Sequence, residues 1–164
     1  MDVFESGKRS QIMRAIKSAD TKPEIFVRKL LHASGFRYSL RSTKLPGKPD
    51  IVLTKWRTVV FVNGCFWHQH QGCPRATLPG TRQDYWLPKL AQNALRDAEE
   101  REQLRQTGWR VLVVWECACL AKCRDQLQQM LTDFLRGTVQ SAEIGRNWDI
   151  NINGYELCCR SLGD

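Results

Sequence analysis

No run of about 18 consecutive apolar residues occurs in the 164-residue chain, which excludes a hydropathy-driven membrane helix. The N-terminus, MDVFESGKRS, also lacks the apolar stretch of a secretory leader. A cytoplasmic chain with no membrane partner is therefore expected. Its cysteines number seven, so they cannot all pair, and in a reducing compartment they read as thiols or metal ligands. Internal repeats, linkers and low-complexity segments are missing too, leaving a length that suits one domain. Acid is scarce where base is dense. Residues 8–17 hold Lys8, Arg9, Arg14 and Lys17 and no acid, and residues 36–57 hold six basic side chains against Asp50 alone. The net charge of +8 and pI near 9.3 favour a polyanionic partner such as nucleic acid. Residues 96–105, by contrast, alternate in sign and read as a solvated helix face.

Thr21-Lys22-Pro23-Glu24 has the capping-box form, and Ile25, Val27, Leu30 and Leu31 give an apolar side, so a helix is expected over 22–34. Phe36, Tyr38 and Leu40 alternate with polar residues at strand period. Leu45-Pro46-Gly47-Lys48-Pro49 reads as a loop, Asp50–Leu53 as a short strand and Thr58–Val62 as a buried central one. An irregular loop is expected over 63–80. The next helix is expected to bury Leu87, Leu90, Ala91, Ala94, Leu95 and Ala98 and to end at Gly108. Residues 109–115 read as a second buried strand. A last helix follows, carrying Leu120, Leu127, Met130, Leu131, Phe134 and Leu135 and ending at Gly137. Beyond it only a short strand near Trp148 to Ile152 is expected. The order implies an α/β sheet flanked by helices.

Four constellations carry chemistry. Cys65, His70, Cys73 and the remote Cys117 offer the Cys3His set that structural zinc prefers; the bland reading is scattered thiols, with Cys119, Cys123, Cys158 and Cys159 competing for the fourth place. His68 is then free to act as a general base or acid, or is a loop histidine or alternative ligand; His32 reads as structural. Asp50, alone among cations, is a surface carboxylate or an oxygen ligand for Mg2+, and Glu24 is either a cap or a second acid. Phe66, Trp67, Tyr85 and Trp86 flank one loop, to stack on bases or to pack as a satellite core. Lys89 and Asn93 share a helix face with Trp86, as base readers or plain surface residues.

Taken in order, the blocks Met13-Arg14-Ala15-Ile16, LPGKPD ending in Asp50, FVNGCFWH over 61–68, Tyr85-Trp86-Leu87 with Lys89 and Asn93, Gly108-Trp109-Arg110-Val111 and Val114-Trp115-Glu116-Cys117 resemble the very short patch repair (Vsr) mismatch endonucleases. The likeness runs from about residue 8 to 136. The resemblance implies a restriction-endonuclease-like core, a mixed central sheet flanked by helices with a structural zinc site. It also implies a Mg2+-dependent nick beside the T of a T:G mismatch left by 5-methylcytosine deamination. By it, Asp50 and the main-chain carbonyl of Val62 bind Mg2+, His68 hydrogen-bonds water there, and Glu24 supports them. Cys65, His70, Cys73 and Cys117 bind zinc, while Phe66, Trp67 and Trp86 insert beside the mismatch. Met13 enters from the minor groove, Arg14 beside it binds DNA, and Lys89 and Asn93 read the neighbourhood. Asn63 stands where the best-known member has a histidine, so it can only hydrogen-bond there. Two residues, Gln71 and Gly72, separate His70 from Cys73 where that member has one.

The expected organisation is a basic DNA-contacting arm over 1–20, an endonuclease domain over 21–137 and an extension of unassigned role over 138–164. The expected partner is double-stranded DNA with a T:G mismatch, met by a monomer and linked functionally to a cytosine-5 DNA methyltransferase and other repair proteins. Two alternatives stand beside this reading: a sequence-specific restriction-type endonuclease of the same fold, and a non-catalytic zinc-stabilised DNA-binding module.

Overall fold

The computed structural model describes residues 19–146 throughout, and beyond them the backbone strands Ile150–Ile152 and Tyr155–Leu157. Expectations for Met13, Arg14 and the rest of residues 1–18, and for Trp148, Cys158 and Cys159, lie outside the described residues.

Helix α1 (Lys22–Ala33) starts where its caps say it should. The Glu24 N–H donates to Thr21 Oγ1 at 3.4 Å, and Glu24 Oε2 accepts the Asp20 N–H at 3.0 Å. Val27, Leu30 and Leu31 are buried, whereas Ile25 is exposed on the other side. Strand β1 (Ser39–Leu40) is only two residues long, shorter than the Phe36 to Leu40 alternation implied. Phe36 drops into the core instead, and Arg41 takes a left-handed φ of 46° that ends the strand. Strands β2 (Ile51–Leu53) and β3 (Thr58–Asn63) pair antiparallel across a tight turn. Helix α2 (Gln83–Gln106) carries the chain to β4 (Arg110–Trp115), and α3 (Arg124–Arg136) to β5 (Ser141–Ile144); β3, β4 and β5 run parallel. The central sheet has the order β1-β2-β3-β4-β5, and β6 (Ile150–Ile152) pairs with β7 (Tyr155–Leu157) separately.

The sheet is mixed and covered on both faces, as expected. Ile51, Leu53, Val60, Leu112 and Val114 pack with Val27, Leu30 and Leu31 of α1 and Leu127, Leu131 and Leu135 of α3. Their alternates Val52, Val59 and Val111 meet Leu104 of α2 on the opposite face, the period-two logic of a pleated strand. Strand β5 is a finding that sequence did not supply: it lies past residue 137 and brings only Ala142 and Ile144 inward, too few apolar residues to signal a strand. Helix α3 begins at Arg124, after a 3-10 turn over Ala121–Cys123, so Leu120 is not helical. A similar turn, Pro74–Ala76, interrupts the loop expected over 63–80.

Helix α2 is rotated relative to its apolar spacing. Leu87 is 44% and Leu95 63% exposed, and Ala91, Ala94 and Ala98 face outward as well; Trp86, Leu90 and Leu104 are buried. The inward row is 86, 90, 93, 97, 101 and 104, in which Asn93, Asp97 and Arg101 are polar. The face read as solvated over 96–105 therefore includes half-buried groups. They point inward because what α2 covers beyond Leu90 is a polar cleft.

Candidate active site and metal cluster

Strands β3 and β4 end side by side, Asn63 in register with Trp115. Two residues beyond each lie Cys65 and Cys117, and so the carboxyl ends of two parallel strands, the usual place for function in such sheets, deliver the first two thiols. The loop after β3 then folds back: the His70 N–H donates to the Cys65 carbonyl at 2.9 Å and the Cys73 N–H to that of His70 at 3.2 Å. The ligand atoms of Cys65, His70, Cys73 and Cys117 all lie within 4.8 Å of one another. His70 Nδ1 is 3.5 Å from Cys65 Sγ and 3.4 Å from Cys117 Sγ. Its ring stacks on Trp115 at 4.2 Å and 4°, and a Cβ at Gly145 would stand 2.8 Å from its Cε1, so the imidazole is gripped on both sides. Hydrogen bonds from Cys65 and His70, with the Arg146 N–H, push the Cys117 thiol down to about 4; its bond to Cys117 and burial push Cys65 up. The cluster is thus ready to supply thiolate. Cys119, pushed up to about 12 by burial, and Cys123 are not among its members.

Beside it opens a cleft of about 840 Å³ lined by residues of α1, the 43–48 loop, β3, the 64–68 turn and α2. Asp50 enters it from the start of β2, behind Gly47, whose φ is 73° and where a Cβ would stand 2.8 Å from Glu100 Oε2 and 3.1 Å from the Phe61 ring, leaving no room for a side chain. The Val62 N–H donates to Asp50 Oδ2 at 2.7 Å. Burial nevertheless pushes the Asp50 carboxyl up to about 6, with Glu24 adding repulsion while the Val62 bond, Arg28 and His68 oppose it. Glu24, 3% exposed, lines the cleft and is bound by Arg28 Nη2 at 2.9 Å; its capping role and its place at the site coexist. His68 lines the cleft too, with Nδ1 2.5 Å from Asp97 Oδ2. Asn63 is 5% exposed, and its side chain makes no hydrogen bond to the described residues. The exposed His32 lies far along the chain on the last turn of α1, away from the cleft lining.

The aromatics form a cluster of their own. Ring centroids are 5.1 Å apart for Phe66 and Trp67, 5.6 Å for Phe66 and Trp86, 5.9 Å for Trp67 and Trp86, and 5.3 Å for Tyr85 and Trp86. Trp86 is buried, while Phe66 and Trp67 are half-buried and Trp67 lines the cleft. Lys89 Nζ lies over Tyr85, Trp86 and Trp67 at 5.3 to 5.8 Å, which tethers it to the cluster. Asn93 Nδ2 donates to the Trp67 carbonyl at 3.2 Å, and its Oδ1 accepts from Arg96 at 3.1 Å, so both ends of this amide are engaged within the protein.

The structure thus brings together Asp50, Val62, Asn63, His68, Glu24 and Trp67 at one cleft and the four Cys and His residues beside it. Sequence reasoning missed Asp97. The usable signal was its position four residues after Asn93, on the face already marked by Trp86 and Lys89.

Comparison with known proteins agrees with the motifs. Residues 1–75 match the family model of the DNA mismatch endonuclease Vsr. The chain is 38% identical to the DNA mismatch endonuclease Vsr of Escherichia coli, covering 87% of this chain and 93% of that protein. It is 43% identical to the type II nicking enzyme V.NmeAIP of Neisseria meningitidis (80% and 95% covered) and 48% identical to V.XorIIP of Xanthomonas oryzae (71% and 85%). Among solved structures, the catalytic domain of the homing endonuclease I-Bth0305I aligns with a TM-score of 0.48 at 19% identity, covering 70% of this chain and 94% of that one. Identity of this order over nearly the whole length of several relatives, on a chain that carries the same ordered motifs, makes this protein a DNA endonuclease of the Vsr family.

Proposed function

We propose that the protein nicks one strand of duplex DNA beside the T of a T:G mismatch, in a Mg2+-dependent reaction that starts very short patch repair. The observation that carries this reading is the sharing of one cleft: the Asp50 carboxylate, the His68–Asp97 pair and Trp67 all line it. Burial disfavours the ionised form of the Asp50 carboxyl, so a cation beside it would be stabilising, and the donors available to one are oxygens, which suits Mg2+. Asp50 and the main-chain carbonyl of Val62 would hold it, and bound there it offsets the charge that gathers on the scissile phosphate. With Nδ1 turned to Asp97, His68 leaves Nε2 to take a proton from the attacking water, and Asp97 fixes that tautomer. Asn63 faces the cleft with its amide unspent and can donate to phosphate oxygen.

Zinc suits the second cluster. A tetrahedral site with Zn–S near 2.3 Å and Zn–N near 2.05 Å has N to S edges of about 3.5 Å, and the two measured edges are 3.5 and 3.4 Å. All four positions are filled by protein, so its role is to brace the loop. Phe66 and Trp67, at the rim of that braced loop, would insert beside the mismatch, with Trp86 as the buried member beneath them and Lys89 reading nearby bases. Met13 and Arg14 of the basic arm would act from the minor groove. The setting is the bacterial cytoplasm, where a monomer repairs the products of cytosine-5 methylation.

One assay tests the reading. Labelled duplexes carrying T:G, T:A or C:G at one position are incubated with Mg2+, and the nick is mapped. Nicking beside T in the T:G duplex alone is expected, with Asp50→Ala lowering the rate by at least about 10³-fold while DNA binding persists. Equal nicking of a matched site would favour the second reading, a sequence-specific nicking enzyme, which the names of the Neisseria and Xanthomonas relatives suggest.

A further inference from the structure

Asn93, Asp97 and Arg101 stand four residues apart on α2 and so form one row. Successive members hold successive parts of the machinery. Asn93 Nδ2 donates to the Trp67 carbonyl at 3.2 Å, and one turn later Asp97 Oδ2 lies 2.5 Å from His68 Nδ1. After another turn Arg101 Nη1 donates to Glu143 Oε1 at 2.7 Å; Glu143 Oε2 accepts from Trp115 Nε1 at 3.0 Å, and His70 stacks on that indole. The helix is thereby tied to the strand behind the metal cluster, and serves as a fixed rail for the loop in front of it.

The Trp67 carbonyl belongs to the peptide unit that joins Trp67 to His68, and that unit is planar and rigid. A hydrogen bond to its oxygen therefore fixes the tilt of the plane together with the bond at its other end, where the His68 N–H donates to the Gly64 carbonyl at 3.1 Å. Arg96 donates to Asn93 Oδ1 at 3.1 Å, and since a guanidinium has no acceptor, Nδ2 must be the end that faces Trp67. Those two bonds use one of the two amide N–H donors and one lone pair of the oxygen, so the Asn93 amide is oriented from both ends by the protein itself.

We propose that Asn93 is a positioning residue: by holding the Trp67–His68 peptide it makes the placement of His68 depend on how Trp67 is seated on the DNA. This rests on the mismatch reading above for the role of Trp67. Seating of the indole at the lesion is passed to His68 through that held peptide, and Asp97 one turn away receives the imidazole in register; the two bonds are made together.

The test is a double-mutant cycle between Asn93→Asp, which keeps the shape but removes the donor, and Trp67→Ala. Single-turnover nicking is measured at saturating enzyme on whichever duplex the wild type nicks fastest, alongside DNA affinity and thermal melting. Asn93→Asp is expected to lower the single-turnover rate by about tenfold, with DNA affinity and melting temperature nearly unchanged. In the Trp67→Ala background the further loss should shrink to less than about twofold. Asn93→Ala serves the same cycle should the aspartate variant melt early. Losses that multiply independently in the two backgrounds would overturn the proposal. So would a loss confined to DNA affinity and to one flanking base pair, which would make Asn93 a base reader. A wild type that nicks T:G and matched duplexes equally sinks the mismatch reading instead, and the cycle is still scored on its preferred duplex.

Discussion

His68 and His70 are separated by one residue, yet they sit in two environments built on opposite principles. Around His70 the ring is packed among protein groups: two thiols lie within 3.5 Å of Nδ1, Trp115 covers one ring face, and at Gly145 beside the ring edge there is no room for a Cβ. Around His68 the groups are arranged for something absent from the fold. Asp50 is half-buried with one oxygen satisfied, and Asn63 is buried with no side-chain hydrogen bond among the described residues. Closed sites of the first kind stabilise, whereas open sites of the second carry strain and unmet charge for the sake of chemistry. Perturbing the two should therefore move different quantities, and in opposite directions.

The largest effect is expected from the closed site. On the zinc reading of this cluster, stripping the metal with a chelator, or Cys117→Ser, should cost on the order of 5 kcal/mol and unfasten the 64–73 loop, because a thiolate set without a cation cannot be satisfied by the polar chain around it. Thermal melting with metal stoichiometry per chain checks this; nicking should vanish with it. A variant that lost its metal yet melted as the wild type would remove the contrast between the two histidines.

At the open site Asp97→Asn should leave melting almost unchanged and lower the nicking rate by about 10² to 10⁴-fold, since the amide holds the imidazole without stabilising its protonated form. Single-turnover rates set against melting temperature make the comparison direct. A rate within about threefold of wild type would return Asp97 to the role of a surface ion pair.

How much of this was legible beforehand depended on what kind of signal each residue carries. Strands β3 and β4 are rich in valine and other apolar residues and are buried on both faces, so their composition alone announced them. The Cys3His set was visible because its members are rare residue types, and the loop that holds three of them spans only nine positions. Helix α2 was legible as a helix but not in its rotation. Counting apolar positions pointed to Leu87, Ala91 and Leu95, but the inward row is set by a polar cleft that has to be faced by Asn93, Asp97 and Arg101. Asp97 stayed hidden for that reason: among seven charged residues of alternating sign, nothing local distinguishes the one that meets a histidine 29 positions earlier. Strand β5 was missed because it borrows its stability from β4 and needs only two apolar residues of its own.

A smaller effect should come from Gly145→Ala. The added methyl would stand 2.8 Å from His70 Cε1 and 3.0 Å from Nε2, and the stacked ring cannot retreat through Trp115. A cost of about 1 to 3 kcal/mol is expected, read as a lower melting temperature and weaker metal retention. The His68 side of the comparison should hardly respond, so DNA nicking by the metal-loaded variant should fall by less than about threefold.

Comparable in size to the glycine substitution but opposite in sign is Asp50→Asn, which should stabilise the protein while destroying its activity. The Asp50 carboxyl is pushed up to about 6 from 3.8, chiefly by burial, so the folded state binds a proton that the unfolded state has released between those values. Stability contributed by this group is therefore full below about pH 4 and falls as pH rises to about 6. The asparagine keeps an oxygen to accept the Val62 N–H and has no charge to bury. In magnesium-free buffer at about pH 7.5 the variant should be more stable by about 1 to 3 kcal/mol, and the gain should shrink towards zero at about pH 3.5. Added Mg2+ should raise the melting temperature of the wild type and not of the variant, closing the gap from the other side. Denaturant melts at the two pH values, with and without Mg2+, measure all of this. A variant less stable than the wild type at both would mean that Asp50 is a structural ion-pair member like those around Arg28, and the open cleft would lose its defining charge.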